Sequence, residues 1–257
     1  MISVIIPAYN ESDTIRNTIA YVYANASYKR LLKEVIVVDG GSTDNTVEEA
    51  EKTGATVMRS PVKGRAAQLN FGARQATGKI LYFLQANCLP PQNFVSEIVK
   101  ASSKGFACGA FSVKFEDRHW VLNAMAWVSN RYNSFIKLSD QSLFMTKELF
   151  EKTGGFCEDH LVMINQEMIK RLKRYTNFIL IREAVLSSAR KYVRYGFVKT
   201  GIVQGIAFVL HRLGYSQLTL ASVYRSVLHW DIGPKRPVKK PIETAPAAPI
   251  AQVSLQQ

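Results

Sequence analysis

The chain has 257 residues, of which 47% are hydrophobic, so it can bury the core of a globular domain. Because no run of about 18 apolar residues occurs, we expect no membrane-spanning helix. The formal net charge of +13 indicates an anionic partner, which can be nucleic acid, a phosphate-bearing ligand or an acidic membrane surface.

The first half of the chain alternates short apolar runs with segments of helical periodicity. Predicted strands lie at 4–6, 35–38, 56–58 and 80–84, and predicted helices follow Asn10, Thr46 and Gly64. Asn10 is expected to cap the first helix, and Gly78 to close the third. Strands that alternate with helices at this spacing predict an α/β fold with a parallel sheet and helices on both faces.

The pattern changes after Pro91. Residues 109–115 alternate large apolar side chains with smaller or polar ones, which predicts a strand with one half-exposed face. Further helices are predicted at 119–138, 165–175, 193–213 and 215–229, strands at 143–145 and 178–181, and a tight turn at 153–156. Residues 231–257 hold five of the nine prolines and lack periodicity, so we expect a disordered tail.

Polar side chains follow three of the predicted parallel strands, including Tyr9, Asp39 and Asn87. An aspartate at a strand end can accept a hydrogen bond from a base or a ribose, and a tyrosine can stack on a flat ring. Lys63 and Arg65 flank the start of a helix, where free N–H groups and cations would hold phosphate. Together they predict a nucleotide-diphosphate site, although Asp39 as a turn former and solvated cations are ordinary alternatives.

These residues belong to a series of motifs that resembles a known family. The motifs are PAYNE (7–11), VIVVDGGSTDNT (35–46), KGRAAQLNFGA (63–73), ILYFLQANCLPP (80–91), DQSLFMTKELFEKTGGF (140–156) and SSARKY (187–192). They look like the inverting family 2 glycosyltransferases of GT-A fold, and within them like a bacterial subgroup associated with radical SAM and selenium-related proteins.

The resemblance covers about residues 1–228 and implies a Rossmann-like, mixed but mostly parallel sheet. The implied domain is 1–230, with a nucleotide-binding half (1–91), an acceptor half (92–189) and basic C-terminal helices (190–230). The implied reaction transfers a sugar from a nucleotide-diphospho-sugar to an acceptor hydroxyl with inversion.

The resemblance also assigns roles to individual positions. Donor contacts are implied for Pro7, Tyr9, Glu11 and Asp39 around the nucleoside, for Lys63 and Arg65 near the base and diphosphate, and for Asp140 and Gln141 at the sugar or acceptor. Gln68 and Asn70 match the same motif, but on a helix they can equally serve packing and capping.

Two positions depart from the family pattern. The fourth strand motif normally ends in an aspartate that helps to hold Mg²⁺ or Mn²⁺, and here Asn87 stands in its place. The catalytic base normally comes from a Glu-Asp pair, and here the aligned residues are Ile164 and Asn165. An amide is a poorer ligand for these metals and cannot take a proton at neutral pH. The alternatives are therefore an enzyme of reduced activity, with Glu167, Asp159, Glu158 or Asp140 as the catalytic carboxylate, and a catalytically degenerate binding or partner subunit.

A second basic segment, residues 184–230, holds six Lys or Arg and no acidic residue. Such basic, apolar helices can lie on an anionic membrane surface, which would suit a lipid-linked acceptor, or they can pack on the core. Trp120 and Trp127 are expected to pack. Nucleic acid is disfavoured as a partner because no recognition motif accompanies the charge. Scattered cysteines, and a first segment that reads as a strand rather than a signal peptide, favour a cytoplasmic location, at the inner membrane face if the membrane contact holds.

Overall fold

The computed structural model describes residues 1–26, 30–131 and 142–228 of the chain. The strands in these ranges are β1 (Ile2–Ala8), β2 (Leu32–Asp39), β3 (Thr56–Arg59), β4 (Ile80–Phe83), β5 (Cys88–Leu89), β6 (Cys108–Phe115), β7 (Leu143–Thr146) and β8 (Phe178–Ser187). The helices are α1 (Ile15–Asn25), α2 (Thr46–Glu51), α3 (Arg65–Gln75), α4 (Phe94–Ser103), α5 (Trp120–Ser129), α6 (Lys147–Thr153), α7 (Ile164–Leu172), α8 (Arg190–Tyr195), α9 (Phe197–Arg212) and α10 (Gln217–Leu228).

The strands form one mixed sheet in the order β3-β2-β1-β4-β7-β6-β8-β5. β1 pairs in parallel with β2 and β4, β2 with β3, and β6 with β8. β7 is antiparallel to both β4 and β6, and the short β5 is antiparallel to β8. The predicted α/β fold with a mostly parallel sheet is therefore confirmed. The carboxyl ends of β1, β2, β4, β6 and β8 meet at one edge, which we call the polar edge.

Both faces of the sheet are covered by helices because its central strands are apolar on both sides. Along β1, Val4 and Ile6 pack with α1 and α4, whereas Ile5 packs with α3, α6 and α7 on the opposite face. All seven residues of β1 are buried. Burying a valine or isoleucine side chain fully stabilises a fold by about 1.5–3 kcal/mol, so this strand anchors both layers.

The C-terminal helices form a smaller layer beside the sheet. Val203 and Ala207 of α9 pack with Leu220 and Tyr224 of α10 and with Val162, which lies just ahead of α7. Within the part of the chain described here, no helix is both long enough and apolar enough to cross a bilayer.

Two predicted helix boundaries are wrong. Asn10 does not cap α1, which begins at Ile15; Asn10 instead adopts a left-handed backbone with φ of 53° and binds the loop after β2. Gly78 does not close α3, which ends at Gln75. A Cβ on Gly78 would lie 2.7 Å from the backbone nitrogen of Ser3, so this glycine serves the close approach of two chain segments.

The strand predicted at 109–115 is confirmed as part of β6, but its predicted half exposure is wrong, since only Lys114 of β6 is exposed. β6 lies between β7 and β8, where Cys108 and Ala110 pack with α6 and α7, and Gly109 fits against Phe144 and Ile179 of the neighbouring strands. The strand predicted at 178–181 continues to Ser187 along β6. The helix predicted at 193–213 is interrupted at Gly196, where φ is 88°.

Some predictions fall on residues outside the described ranges. These are Asp140 and Gln141, residues 132–138 of one predicted helix, and the predicted tail at 231–257.

Candidate functional site

Asp39 lies at the carboxyl end of β2 and is almost fully buried. Its carboxylate accepts hydrogen bonds from the backbone N–H of Gly41 at 2.9 Å and of Ser42 at 3.0 Å, and from the Ser42 hydroxyl. Gly41 has φ of 92°, a conformation that L side chains rarely adopt. The aspartate therefore shapes its own loop and holds that loop at the polar edge.

The loops after β1 and β2 are joined by side-chain hydrogen bonds. Asn10 Oδ1 accepts from the N–H of Thr43 at 2.8 Å, and Thr46 Oγ1 accepts from the N–H of Glu11 at 2.7 Å. Asp44 accepts from the N–H groups of Ser12 and Thr46 and from the Thr46 hydroxyl. Slight burial raises the pKa of Asp44, but these hydrogen bonds outweigh it and lower the pKa. These hydrogen bonds therefore join the two loops at the polar edge.

Gln68 of α3 binds the backbone of β1 and β2 next to these two loops. Its Nε2 donates to the carbonyl of Ala8 at 2.8 Å and to that of Val38 at 2.7 Å, and its side chain lies against Gly40. Asn70 pairs with both backbone groups of Phe156 and with Glu158. Both motif residues are buried and have structural partners, so the packing alternative explains their presence.

Two cationic side chains, those of Arg59 and Lys63, lie near Gly41 at the polar edge. A Cβ built on Gly41 would lie 3.9 Å from the guanidinium of Arg59 and 3.9 Å from Cε of Lys63. Arg59 also lies 3.9 Å from the carboxylate of Asp39, and its side chain is largely exposed. The motif pattern does not single out Arg59, although its place at the end of β3, beside β2, was a usable signal. Arg65 begins α3 just beyond Lys63.

The remaining residues predicted around the nucleoside differ in accessibility. Tyr9 is 55% exposed, so its ring is available to a ligand at the polar edge. Pro7 is buried within β1 and pairs with Val38 of β2. Glu11 is engaged with Arg190, whose guanidinium also contacts Asp13 at 3.2 Å. This ion pair ties α8 to the loop after β1, so one residue of the second basic segment has an intramolecular partner.

Asn87 lies in the turn after β4 and is half-buried. Its carbonyl accepts from the N–H of Ser188 at 3.2 Å, and Oδ1 lies 3.7 Å from Sγ of Cys88. In the described ranges, no group of three or more His, Cys, Asp or Glu side chains is placed to hold a metal ion. Asn87 therefore offers a neutral amide where Mg²⁺ and Mn²⁺ prefer an anionic oxygen ligand, and the described residues place no carboxylate cluster around it.

Asn165 lies in the first turn of α7 and is 5% exposed. Because α7 leads into the amino end of β8, its first turn points toward the polar edge. Glu167 instead forms a two-pronged ion pair with Arg171, at 2.6 and 2.7 Å. Arg171 also donates to the carbonyls of Thr153 and Gly155, so this pair fastens α7 to the turn after α6. To act as a base, Glu167 would have to leave Arg171.

Sequence comparison identifies the family to which the chain belongs. The profile of the family described as "Glycosyl transferase family 2" matches residues 3–173, which is more than half of the chain. The chain belongs to glycosyl transferase family 2. The match ends just after α7. It therefore includes the carboxyl ends of β1, β2, β4 and β6 at the polar edge, but not that of β8.

The curated relatives that the chain matches are distant and longer than this chain. The chain is 28% identical over 180 residues to "Glycosyltransferase AglE" of Haloferax volcanii, which covers 63% of this chain and 57% of the relative. It is 27% identical over 120 residues to "Dolichol-phosphate mannosyltransferase" of Pyrococcus furiosus, covering 44% and 34%. An "Undecaprenyl-phosphate 4-deoxy-4-formamido-L-arabinose transferase" of Pseudomonas fluorescens is 28% identical over 113 residues, covering 41% and 33%.

Solved structures share the fold. A mannosyltransferase from Pyrobaculum calidifontis, in complex with GDP-Man and Mn²⁺, superposes with a TM-score of 0.62 at 24% identity, covering 89% of this chain and 68% of that one. S. aureus TarS 1–349 in complex with UDP-GlcNAc gives 0.61 at 18% identity, covering 88% and 72%. Glucosyl-3-phosphoglycerate synthase from Mycobacterium tuberculosis, in complex with Mg²⁺ and UDP, gives 0.57 at 22%, covering 84% and 80%.

Proposed function

We propose that this chain binds a nucleotide-diphospho-sugar at the polar edge and transfers the sugar to an acceptor hydroxyl with inversion at the anomeric carbon. The observation that carries the proposal is the buried, hydrogen-bonded Asp39 loop beside exposed Tyr9 and the cations Arg59 and Lys63. Membership of glycosyl transferase family 2 supports the reaction class. The complexes of fold neighbours with GDP-Man and UDP-GlcNAc support a donor of this type.

Transfer with inversion requires an in-line displacement. The acceptor oxygen forms a bond to the anomeric carbon while the bond from that carbon to the diphosphate oxygen breaks, and the diphosphate leaves with the electron pair. Cations at the polar edge would stabilise the developing negative charge. The hydroxyl proton must pass to a base, and Asn165 has no basic carboxylate. Loss of a general base typically costs about 10²–10⁴ in rate, so slow transfer is expected.

A second candidate function follows from the two amides. Asn87 and Asn165 keep the size of aspartates, but they remove both negative charges and replace one acceptor oxygen with an NH₂ donor. A protein of this kind would hold a sugar nucleotide without turnover and act as a binding or partner subunit. Placement in the bacterial subgroup associated with radical SAM proteins remains part of this proposal, supported by the motif at 187–192, whereas residues 85–88 depart from the pattern of that subgroup.

We further propose a lipid-linked acceptor. The names of two curated relatives include dolichol phosphate and undecaprenyl phosphate, which are lipid carriers. The chain spans 57% of the first curated relative and about a third of the other two, so the acceptor is proposed and not transferred from them. Such an acceptor would place the protein at the inner face of the membrane.

Calorimetry with a panel of UDP- and GDP-sugars, with and without Mn²⁺, tests the donor proposal. Tyr9→Ala should weaken sugar-nucleotide binding by about tenfold, since stacking on a base contributes about 1–3 kcal/mol. Tyr175→Ala is the matched control, because Tyr175 is similarly exposed and lies just before β8, at the opposite edge of the sheet. Absence of binding to every sugar nucleotide contradicts both candidate functions.

Turnover then separates the two candidates. Metal-dependent binding with product formation supports the transferase. Binding without turnover, together with turnover gained by the double variant Asn87→Asp and Asn165→Asp, supports the degenerate subunit. A double variant that binds donor as tightly as the parent but stays inactive with every acceptor tested contradicts the assignment of these two positions.

A further inference from the structure

The outer surface of α9 carries an apolar stripe that the described part of the protein leaves exposed. Its members are Val198, Ile202, Ile206, Val209 and Leu213, which are between 43% and 69% exposed. Their spacing of four, four, three and four residues places them along one side of the helix. We call this stripe the α9 face.

The opposite side of the same helix is buried. Thr200, Val203 and Ala207 are shielded from solvent, and the latter two pack with α10 and Val162. The α9 helix is therefore apolar on both sides, whereas a surface helix of a globular protein normally turns polar residues outward. Contiguous exposed apolar surface of this kind marks an interaction site.

Charge identifies the partner that fits the α9 face. Lys199 and Arg212 are both exposed and border the apolar stripe, one on each side. No acidic residue occurs anywhere between 184 and 228. A second copy of the chain, paired face to face, would bring these cations against their own equivalents. An anionic lipid surface instead offers phosphates to the cations and an acyl boundary to the apolar side chains.

The neighbouring helix α5 also exposes aromatic side chains, and a cation lies next to one of them. Trp120 and Trp127 are 68% and 60% exposed and share a side of α5, so the prediction that they pack is wrong. α5 runs beside α9, with the rings of His119 and Phe197 stacked at 4.1 Å. The guanidinium of Arg131 lies 4.1 Å from the ring centre of Trp127. Amphipathic aromatic rings next to cations are typical of the membrane–water interface.

We propose that the α9 face docks on the surface of an anionic bilayer, with its apolar side chains in the headgroup region and Lys199 and Arg212 on lipid phosphates. This inference rests on the proposed function in that a lipid-linked acceptor requires the enzyme to work at a membrane. The inner side of α9 contacts Val162, three residues before Asn165, so docking would hold the acceptor end of the site close to the bilayer.

Vesicle flotation of the full chain tests the docking surface. We expect flotation with vesicles of phosphatidylcholine and phosphatidylglycerol at low salt, and none with phosphatidylcholine alone. The triple variant Ile202→Ser, Ile206→Ser and Val209→Ser should lose about tenfold or more of its partitioning. The double variant Lys199→Gln and Arg212→Gln should also lose about tenfold and show a weaker dependence on salt.

A charge-matched control keeps the test specific. Lys33→Gln with Lys104→Gln removes the same two charges from exposed positions outside this segment, and it should float like the parent. Parent protein that stays unbound to anionic vesicles, or a control that loses as much as the Lys199 and Arg212 variant, overturns the proposal. Sedimentation that shows a dimer dissociated by the serine variant, with no flotation, identifies a self-association surface and also overturns it.

Donor calorimetry on the same samples distinguishes this inference from the proposed function. A serine variant that unfolds like the parent and binds the sugar nucleotide, yet no longer floats, supports docking by the α9 face alone. Parent protein that floats but binds no sugar nucleotide supports docking while contradicting the donor site. Flotation retained by the serine variant overturns the α9 face even if the donor binds.

Discussion

Replacing Gln68 tests whether the polar edge depends on one buried amide. Its Nε2 donates to the carbonyls of Ala8 and Val38, which lie at or next to the carboxyl ends of two neighbouring parallel strands, and the side chain is 5% exposed. Gln68→Met keeps the length of the side chain but removes both hydrogen bonds. At about 0.5–1.5 kcal/mol for each bond, the free energy of unfolding should fall by about 1–3 kcal/mol.

For a domain of this size, that loss corresponds to a fall in Tm of about 2–10 °C. Gln68→Glu should be worse at neutral pH, because a carboxylate would face two carbonyl oxygens without a donor. The pKa of the introduced Glu should be raised, since the site disfavours its charged form. The deficit of this variant should therefore shrink as the pH falls and a protonated oxygen donates again.

Urea and thermal unfolding of both variants, with donor calorimetry alongside, measure these effects. Gln75→Met is the matched control, since Gln75 ends the same helix and is exposed. Donor affinity should fall with stability, because Gln68 lies against Gly40 in the Asp39 loop. A methionine variant as stable as the parent, or a glutamate variant at least as stable as the methionine variant at neutral pH, would refute the reasoning.

Three other contacts predict measurable changes. The pKa of Glu34 is lowered because hydrogen bonds from Ser3 and Thr77 outweigh burial, which alone raises it, so Glu34→Gln should cost about 1 kcal/mol at neutral pH in urea unfolding. That difference should vanish as the pH falls through the lowered pKa, because stabilisation by the ionised group is then lost from the parent too. Arg171→Met should cost about 2 kcal/mol or more in the same assay, since it removes four hydrogen bonds at once. Arg190→Gln should cost only about 0.2–1 kcal/mol, with a smaller effect at high salt, because its ion pair is partly exposed.

Hydrophobic pattern predicted the parallel half of the sheet because β1, β4 and the second half of β2 are buried on both faces and bounded by polar turns. The same reasoning failed at β6, where small residues resemble a polar face but lie beneath helices. It also misplaced Asn10, whose side chain can cap a helix or bind a neighbouring loop. Only the tertiary contact with Thr43 decides between these two roles.

The candidate site was predictable where its residues lie at a strand end or a helix start. It was less predictable where an ion pair fixes the position of a side chain. Asp39 follows from its strand-end position and Lys63 from its place at the start of a helix, and their convergence at Gly41 requires only the parallel sheet. The partner of Glu11 does not follow from local pattern, whereas Glu167 and Arg171 are four residues apart on one helix, a spacing that favours an ion pair. Arg190 lies far along the chain from Glu11, and Arg171 is chosen over solvent because it also binds the turn after α6.

The two amide positions should respond differently when the charge is restored. Asn165 is 5% exposed, whereas Asn87 is half-buried, so a carboxylate at 165 loses more hydration. Asn165→Asp should therefore lower the free energy of unfolding more than Asn87→Asp does, by about 1–3 kcal/mol, and the pKa of the new aspartate should be raised. A raised pKa would suit a general base, so the destabilisation and any gain in turnover would have one cause. If Asn165→Asp and Asn87→Asp have the same free energy of unfolding at neutral pH, this account of position 165 is contradicted.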